Sequence, residues 1–422
     1  MRKLLCAVCL LALLAGCADT PSPVSAARSA PADPGQTDNP VFLEELPALG
    51  NPAAAMTEDG FFLAEILREG GPRLLTFYDF ETVTRRVVCD VPGCTHDRGA
   101  CPAAVPSDPL RLGDRLYFFE NADPDDFAQG FLVSRRDLHG QNSEQLGQIG
   151  GEWFFSAGMY TDGAALFTYR GPDFVRIDLP DCHVTMVERA NPDKGSDLTS
   201  RLTMTAPDGQ VYRLGWDPAL DASPGHRLAR SGTALYYADP ATGWIFCQDA
   251  STGQTREVSR GLADYNWSRQ QVAGWDEAGA PNRWETHWAC ENWTGRLIAG
   301  VLVVELGAPS PDQMNTDLRA AVDPESGSVT LCPLSTFING VSRPIRIYAE
   351  TDRGLLVCCD NPSSVRETMG KDGSFQTWTS YGNVYALIDP QDFLAGVPNY
   401  RRFEDKGGFS RNDLPCFWRQ CC

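Results

Sequence analysis

From residue 53 onward the chain repeats one phrase. A Gly or Asp turn opens an alternating apolar strand, a second strand ends in Asp, and a short turn leads into a third, β-branched strand. The openings are Gly60 before Phe61-Phe62-Leu63, Gly113-Asp114 before Leu116-Tyr117-Phe118, and Asp162-Gly163 before Leu166-Phe167. Three more are Ser231-Gly232 before Leu235-Tyr236, Thr294-Gly295 before Leu297-Ile298, and Gly354 before Leu355-Leu356. The matching closings are Asp79, Asp137, Asp178, Asp249, Asp323 and Asp389, and a weaker seventh copy opens at Asp208-Gly209 before Val211-Tyr212. One such small sheet cannot bury both of its faces. Copies stacked radially can, and closing the ring protects their edge strands. The expected fold is therefore all-β, a β-propeller of six to eight blades with loop insertions over residues 40–422. A pair of β-sandwiches is the alternative, because strand patterns alone do not specify closure.

The two ends of the chain differ in kind from this body. Residues 1–17 carry Arg2 and Lys3, an apolar run from Leu4 to Leu14, and the small residues Ala15 and Gly16 before Cys17, the pattern of a secretion signal. Residues 18–39 are rich in Pro, Ala and Ser without hydrophobic periodicity, as a disordered tether is. No later stretch reaches the roughly 18 consecutive apolar residues of a membrane-spanning helix. The tetrapeptide Leu14-Ala15-Gly16-Cys17 resembles the lipobox of bacterial lipoproteins. That resemblance implies cleavage before Cys17, a diacylglyceryl thioether and acyl chains such as palmitate. The membrane partner would then be the extracytoplasmic side of a bacterial cell membrane, held through lipid.

Charge narrows the partners. Acidic residues number 55 against 36 Lys and Arg, for a formal net charge of -19. A chain this acidic lacks the basic footprint that phosphate backbones require, which excludes nucleic acid as a partner.

Fifteen cysteines occur in the sequence. Cys6 and Cys9 belong to the signal and Cys17 to the lipid, and outside the cytoplasm the remaining even number suggests disulfides. The densest group is Cys89, Cys94, His96 and Cys101, with Pro92-Gly93 turning the loop between the first two. Two readings stand. Three thiols and an imidazole form a closed tetrahedral shell, which for zinc is a structural site without an open coordination position. Alternatively, two of the thiols pair, the third reaches a distant cysteine, and His96 is a hydrogen-bonding loop residue. The spacing Cys-x4-Cys-x-His-x4-Cys after a strand, together with the lipobox and tether, resembles propeller-like lipoproteins of uncharacterised function from Gram-positive gut bacteria. The resemblance implies an architecture and no activity. Elsewhere, the adjacent Cys358 and Cys359 are expected on opposite sides of a strand. Cys416, Cys421 and Cys422 are expected to latch the last strand to an earlier element.

Five of the ten tryptophans, Trp267, Trp275, Trp284, Trp288 and Trp293, fall in one insertion with His287. Trp275, Trp284, His287 and Trp288 form a candidate ligand-binding set, since flat aromatic rings suit sugar rings or an apolar partner. The alternative is that the rings fill space beside an enlarged blade. Asp123, Asp125 and Asp126 read as a solvated acidic loop or a calcium loop. The turn Asp249 to Gly253 resembles that of pyrroloquinoline-quinone-type propeller repeats, without the tryptophan those repeats place after the Thr-Gly pair.

No nucleophile elbow, His-Glu-x-x-His helix, phosphate loop or dinucleotide fingerprint occurs, so no catalytic residue can be named. The expected function is a surface-tethered protein whose propeller binds or scaffolds an extracytoplasmic glycan, peptide or protein. The alternative is a carbohydrate-active hydrolase or lyase using carboxylates near the propeller axis.

Overall fold

The computed structural model describes residues 40–406 apart from 68–70, 97–100, 124, 152–157, 171–172, 189–202, 215–224, 240–241, 263–267, 277, 279, 289–292, 307–317, 339–340 and 370–374. For 268–275, 281–288, 363–369 and 375–381 it describes the backbone. Asn39–Cys422 forms one compact unit.

Antiparallel strands pairing in chain order make each repeat. The second blade shows the rule with Leu110–Leu112, Arg115–Asn121, Phe131–Asp137 and Glu144–Ile149. The third blade has Met159–Thr161, Leu166–Arg170, Asp173–Asp178 and His183–Glu188. The fifth has His226–Ser231, Ala234–Ala238, Ile245–Asp249 and Thr255–Ser259; the sixth has Trp293–Ile298, Val301–Leu306, Leu318–Val322 and Val329–Leu331. The seventh has Arg346–Thr351, Gly354–Asp360, Val384–Ile388 and Arg401–Arg402.

The first and fourth units depart from the rule. The first holds Gly60–Ile66, Arg73–Asp79 and Thr84–Val87, with a bridge from Met56 to Phe61 as the stub of its opening strand. The weak seventh copy is the fourth unit, a hairpin of Thr203–Thr205 and Val211–Leu214. Strand Val41–Leu46 completes it, pairing in parallel with Val211–Leu214 and then antiparallel with Met159–Thr161 of the third blade. One opening is also displaced. The turn before the second strand of the sixth blade is Ala299-Gly300, whereas Thr294-Gly295 lies inside the first strand, so Gly295 is a packing glycine whose Cβ would meet Leu228 Cβ at 2.7 Å.

Period-two alternation buries both faces of each sheet. On strand Arg115–Asn121, Leu116 and Phe118 join Phe62, Leu75 and Val88 of the first blade. The intervening Tyr117 and Phe119 join Leu166, Val175 and Ile177 of the third. Further seams lie between the third and fourth units, the fifth and sixth, and the sixth and seventh. A last seam brings Phe61, Tyr78 and Phe80 of the first blade against Leu356, Tyr385 and Leu387 of the seventh, joining the two ends of the blade series. Each fully buried Phe or Leu contributes about 1.5–3 kcal/mol. Sandwiches would pair sheets two by two; here a sheet meets a different neighbour on each side, so the fold is a β-propeller.

Because neighbouring strands are antiparallel, successive connections alternate between the two ends of the ring. One end carries tight turns, four of them only two residues long: Gly113-Asp114, Gly232-Thr233, Ala299-Gly300 and Asp352-Arg353. The closing aspartates cap turns at this same end. Asp137 accepts from the N–H groups of His139 and Gln141, Asp249 from those of Ser251 and Thr252, and Asp323 from those of Glu325 and Ser326. The other end carries the insertions. Hairpins Ser268–Trp275/Pro281–Trp288 and Ser335–Ile338/Val341–Pro344 lie between blades, and Ser363–Met369/Phe375–Tyr381 lies between the second and third strands of the seventh blade. All three emerge at this loop-bearing end.

The capped turns make acid sensitivity predictable. The Ser251 hydroxyl and neighbouring N–H groups hold Asp249 below the usual carboxylate range, and the Glu325 N–H with Ser326 does the same for Asp323. Desolvation opposes charge on Asp137, yet hydrogen bonds from Gln141, Asn142 and His139 together hold it low. A folded pKa below the unfolded one stabilises fully above the unfolded value and is lost as pH falls through the folded value. Thermal unfolding of the wild type should therefore be flat near neutrality and fall below about pH 4. A triple Asp137→Asn, Asp249→Asn, Asp323→Asn variant should show a shallower acid limb; an unchanged limb would mean the turns do not carry it.

Candidate metal centre

The Cys/His loop interrupts the outer strand of the first blade. Opposite Leu75, the roles of one strand residue are split between two: Val88 N–H donates to Leu75 O (2.9 Å) and Leu75 N–H donates to Ala103 O (2.8 Å). The ladder then continues with Val105 N–H donating to Arg73 O at 3.0 Å. Residues 89–102 thus leave the strand and return to it, with Cys89 and Cys101 at the two feet.

A turn closed by Cys94 N–H to Val91 O (3.2 Å) carries Gly93 at φ 73°, and His96 has a left-handed φ of 55°. For a non-glycine residue that conformation is uncommon. The Sγ atoms of Cys89, Cys94 and Cys101 and a ring nitrogen of His96 all lie within 4.8 Å of one another. His96 Nδ1 stands 3.4 Å from Cys101 Sγ. Ordinary zinc bond lengths at tetrahedral angles put sulfur and nitrogen about 3.6 Å apart and two sulfurs about 3.8 Å apart. The donor set therefore fits a tetrahedral thiophilic cation, and Cys89, Cys94, His96 and Cys101 would hold it. Among the described residues no other group of three or more His, Cys, Asp or Glu converges in this way.

No disulfide joins any two of the described cysteines, and Cys290, Cys416, Cys421 and Cys422 lie outside the described residues. The imidazole lies among the thiols, which is the arrangement of a shared ligand shell. Burial pushes the Cys101 thiol up to about 12, with the nearby thiols of Cys94 and Cys89 adding to the shift.

Arg136 ties this loop to the second blade, and nothing in the sequence singled it out. The residue is 8 % exposed, and its guanidinium donates to Pro102 O and Ala104 O (both 2.6 Å) and to Gly140 O (3.2 Å). Burial lowers its pKa, and the nearby Cys101 opposes that shift. Gly140 sits so close to the loop's first foot that a Cβ there would meet Val88 Cγ1 at 2.6 Å. The only sequence trace of the contact is an Arg in a strand position that Tyr78, Ile177, Val322 and Ile388 fill in four of the other repeats and Gln248 in the remaining one.

The other sites expected from sequence are distributed differently. Cys17 lies outside the described residues, as do Trp267, Cys290, Cys416, Cys421 and Cys422. Trp275, Trp284, His287 and Trp288 lie on the first of the three hairpins, their side chains outside the described set; Trp284 pairs with Val272, Trp288 with Ser268, His287 with Arg269 and Trp275 with Pro281. Trp293 is 1 % exposed in the seam between the fifth and sixth blades, so that ring is a core filler.

Asp123 and Asp126 cap a short turn, accepting from Asp125 N–H and Ala128 N–H respectively, and do not form a ligand cluster. Cys359 packs into the seam between the sixth and seventh blades, while the Cys358 thiol lies against Asp360 O at 3.2 Å.

No protein-family model and no curated protein sequence matches the chain. Solved structures do match. The oligogalacturonate lyase of Vibrio parahaemolyticus is similar at 10 % identity over 70 % of this chain and 82 % of its own, with a TM-score of 0.33. A xyloglucanase from Xanthomonas campestris is similar at 12 % identity over 87 % of this chain and 62 % of its own, with a TM-score of 0.32. The tricorn protease is similar at 13 % identity over 81 % of this chain, with a TM-score of 0.20; the chain spans 29 % of that protein's length.

Proposed function

We propose that this is a lipid-anchored binding propeller, held at an extracytoplasmic membrane surface through Cys17, whose loop-bearing end engages a glycan, peptide or protein. The observation that supports this reading is the asymmetry of the ring. Tight capped turns occupy one end, and three inserted hairpins, the first carrying Trp275, Trp284 and Trp288, occupy the other. Insertions cost little stability on a rigid scaffold and are where binding residues concentrate.

The metal belongs to this reading as a brace. A zinc ion at Cys89, Cys94, His96 and Cys101 would fill its shell with protein ligands and leave no position for a substrate. The chemistry it supplies is cross-linking of the two feet of the loop. The chain's own residues then hold the first blade against the second through Arg136.

The test is retention on arrays of polysaccharides and of peptides. Wild-type protein should be retained. Replacing 268–288 by a short Gly-Ser link should abolish or reduce retention, whereas lengthening the Gly232-Thr233 turn at the opposite end should not. No retention on any array, or equal loss from both changes, would count against the reading. Release of new reducing or unsaturated ends from a retained glycan would establish the hydrolase or lyase alternative instead.

A further inference from the structure

We propose that a cavity between the first and second blades, at the loop-bearing end, is a seat for a neutral saccharide ring. This rests on the binding function proposed above and names its ligand class. The cavity has a volume of about 390 Å³ and is bounded by Arg73, Pro106, Ser107, Glu120, Asn121 and Phe131 among others. That volume lies at the lower end of the range for small-molecule sites. Every one of those residues lies where the strands of the two blades reach the loop-bearing end: Arg73 begins a third strand, Glu120 and Asn121 end a second, and Phe131 begins a third.

The wall is held in place before any ligand arrives. Phe119 N–H donates to Ser107 Oγ (3.0 Å), and the Ser107 hydroxyl donates to Asp108 O (3.2 Å). Asp108 in turn accepts from Ala64 N–H and from Arg73 Nη1, each at 3.4 Å. Pro106 and Ser107 also follow directly on the Ala103 to Val105 segment that returns from Cys101 to the strand ladder.

The chemistry of the lining selects the ligand. Pro106 is exposed and Phe131 half-buried, giving apolar surface for the C–H face of a pyranose. Asn121 offers both donor and acceptor, Glu120 accepts, and Arg73 donates in a plane, a set that matches vicinal hydroxyls. Charge decides against acids. Arg73 is already paired with Asp108, so Glu120 leaves the cavity with a net negative charge on a protein of net charge -19. A uronate or a phosphorylated sugar would meet that field unfavourably, while an uncharged ring would not.

Calorimetric titration of the full chain with neutral α- and β-linked hexose tetrasaccharides, and with matched uronic-acid tetrasaccharides, tests this. At least one neutral series should bind. Asn121→Ala and Glu120→Ala should each weaken it by about tenfold or more, the equivalent of one good hydrogen bond to a charged or bidentate partner. Their thermal midpoints should match wild type, because neither side chain is buried. Uronates binding as tightly as neutral sugars would overturn the assignment of ligand class. Neutral binding untouched by the cavity variants but lost with the 268–288 hairpin would overturn the seat and leave the binding function standing. Retention of peptides only would overturn the saccharide inference while the loop-bearing end remained the binding end.

Discussion

Chelation, or a Cys94→Ser change, should strip one zinc ion per chain and lower the stability of the first blade. The expected size follows from mass action: a cation bound only by the folded state, at a free concentration about a thousand times its dissociation constant, stabilises by about 4 kcal/mol. The local consequence is sharper than the global one. Without the clamp, no ligand bonds tie Cys89 to Cys101, and the ladder bonds from Leu75 to Ala103 and from Val105 to Arg73 lose their anchor.

Hydrogen exchange should therefore accelerate at Leu75 and Val105 in metal-free protein, while amides in the fifth and sixth blades stay protected. Elemental analysis of purified wild type checks the stoichiometry on the same sample. Absence of a bound thiophilic metal, with the three loop thiols blocked to alkylation until reduced, would restore the disulfide reading. Arg136→Met separates the brace from the metal: it should retain zinc yet loosen the loop, since Pro102 O, Ala104 O and Gly140 O lose their shared donor.

Breaking the ring closure should be as costly. Strand Arg401–Arg402 ends the seventh blade, and after the single residue Phe403 the pair Glu404–Asp405 runs parallel to Thr84 and Arg85 at the outer edge of the first. Arg85, its side chain 5 % exposed, joins Asp405 through Nε (2.5 Å) and Glu65 through Nη1 (3.0 Å), and Tyr78 OH donates to Glu65 at 2.8 Å. Phe403 packs edge-on to Phe61 and Tyr78, at 5.7 and 5.3 Å between ring centres.

Removing Arg85 alone strands two carboxylates beside that aromatic seam. An Arg85→Met variant should lose about 3 kcal/mol, the lower end of the range for a broken buried pair because Glu65 and Asp405 remain partly solvated. The diagnostic comparison is Arg85→Met combined with Glu65→Leu and Asp405→Leu, which should recover most of the loss by replacing charge with apolar contact. Urea unfolding with the midpoint and slope fitted together measures both; a triple variant weaker than the single would show that the pair itself, rather than its orphaned partners, carries the stability.

The contrast between these two places shows what could be read from the chain. Repeats such as Leu116-Tyr117-Phe118-Phe119 announce a strand with two buried faces, because alternate side chains must point opposite ways. The closing aspartates are equally legible, since a short acceptor two residues before a turn satisfies its N–H groups. The metal loop was legible as a donor set but not as a clamp. That Cys89 and Cys101 stand at the feet of an interrupted strand depends on Leu75, which is remote from both in the chain. Arg136 carried only the trace of a charge in that strand position, because its value lies in carbonyl groups brought to it in space, Pro102 O and Ala104 O beside the first blade and Gly140 O of its own turn.

Ring closure was not legible for the same reason. Among the described residues the closing contacts use Arg85, Phe403 and Asp405, while the final cysteines expected to latch the last strand lie outside the described residues. Strand period, turn chemistry and the Cys/His spacing are local, so an all-β repeat, its capped turns and a metal-competent loop could be read from the residues alone. Which blade meets which, the completion of the fourth unit by the first strand, and the emergence of all three hairpins at one end came from the folded chain. Those outcomes depend on side chains brought together across the ring, and the alternation of strand directions then sorts every connection to one end or the other.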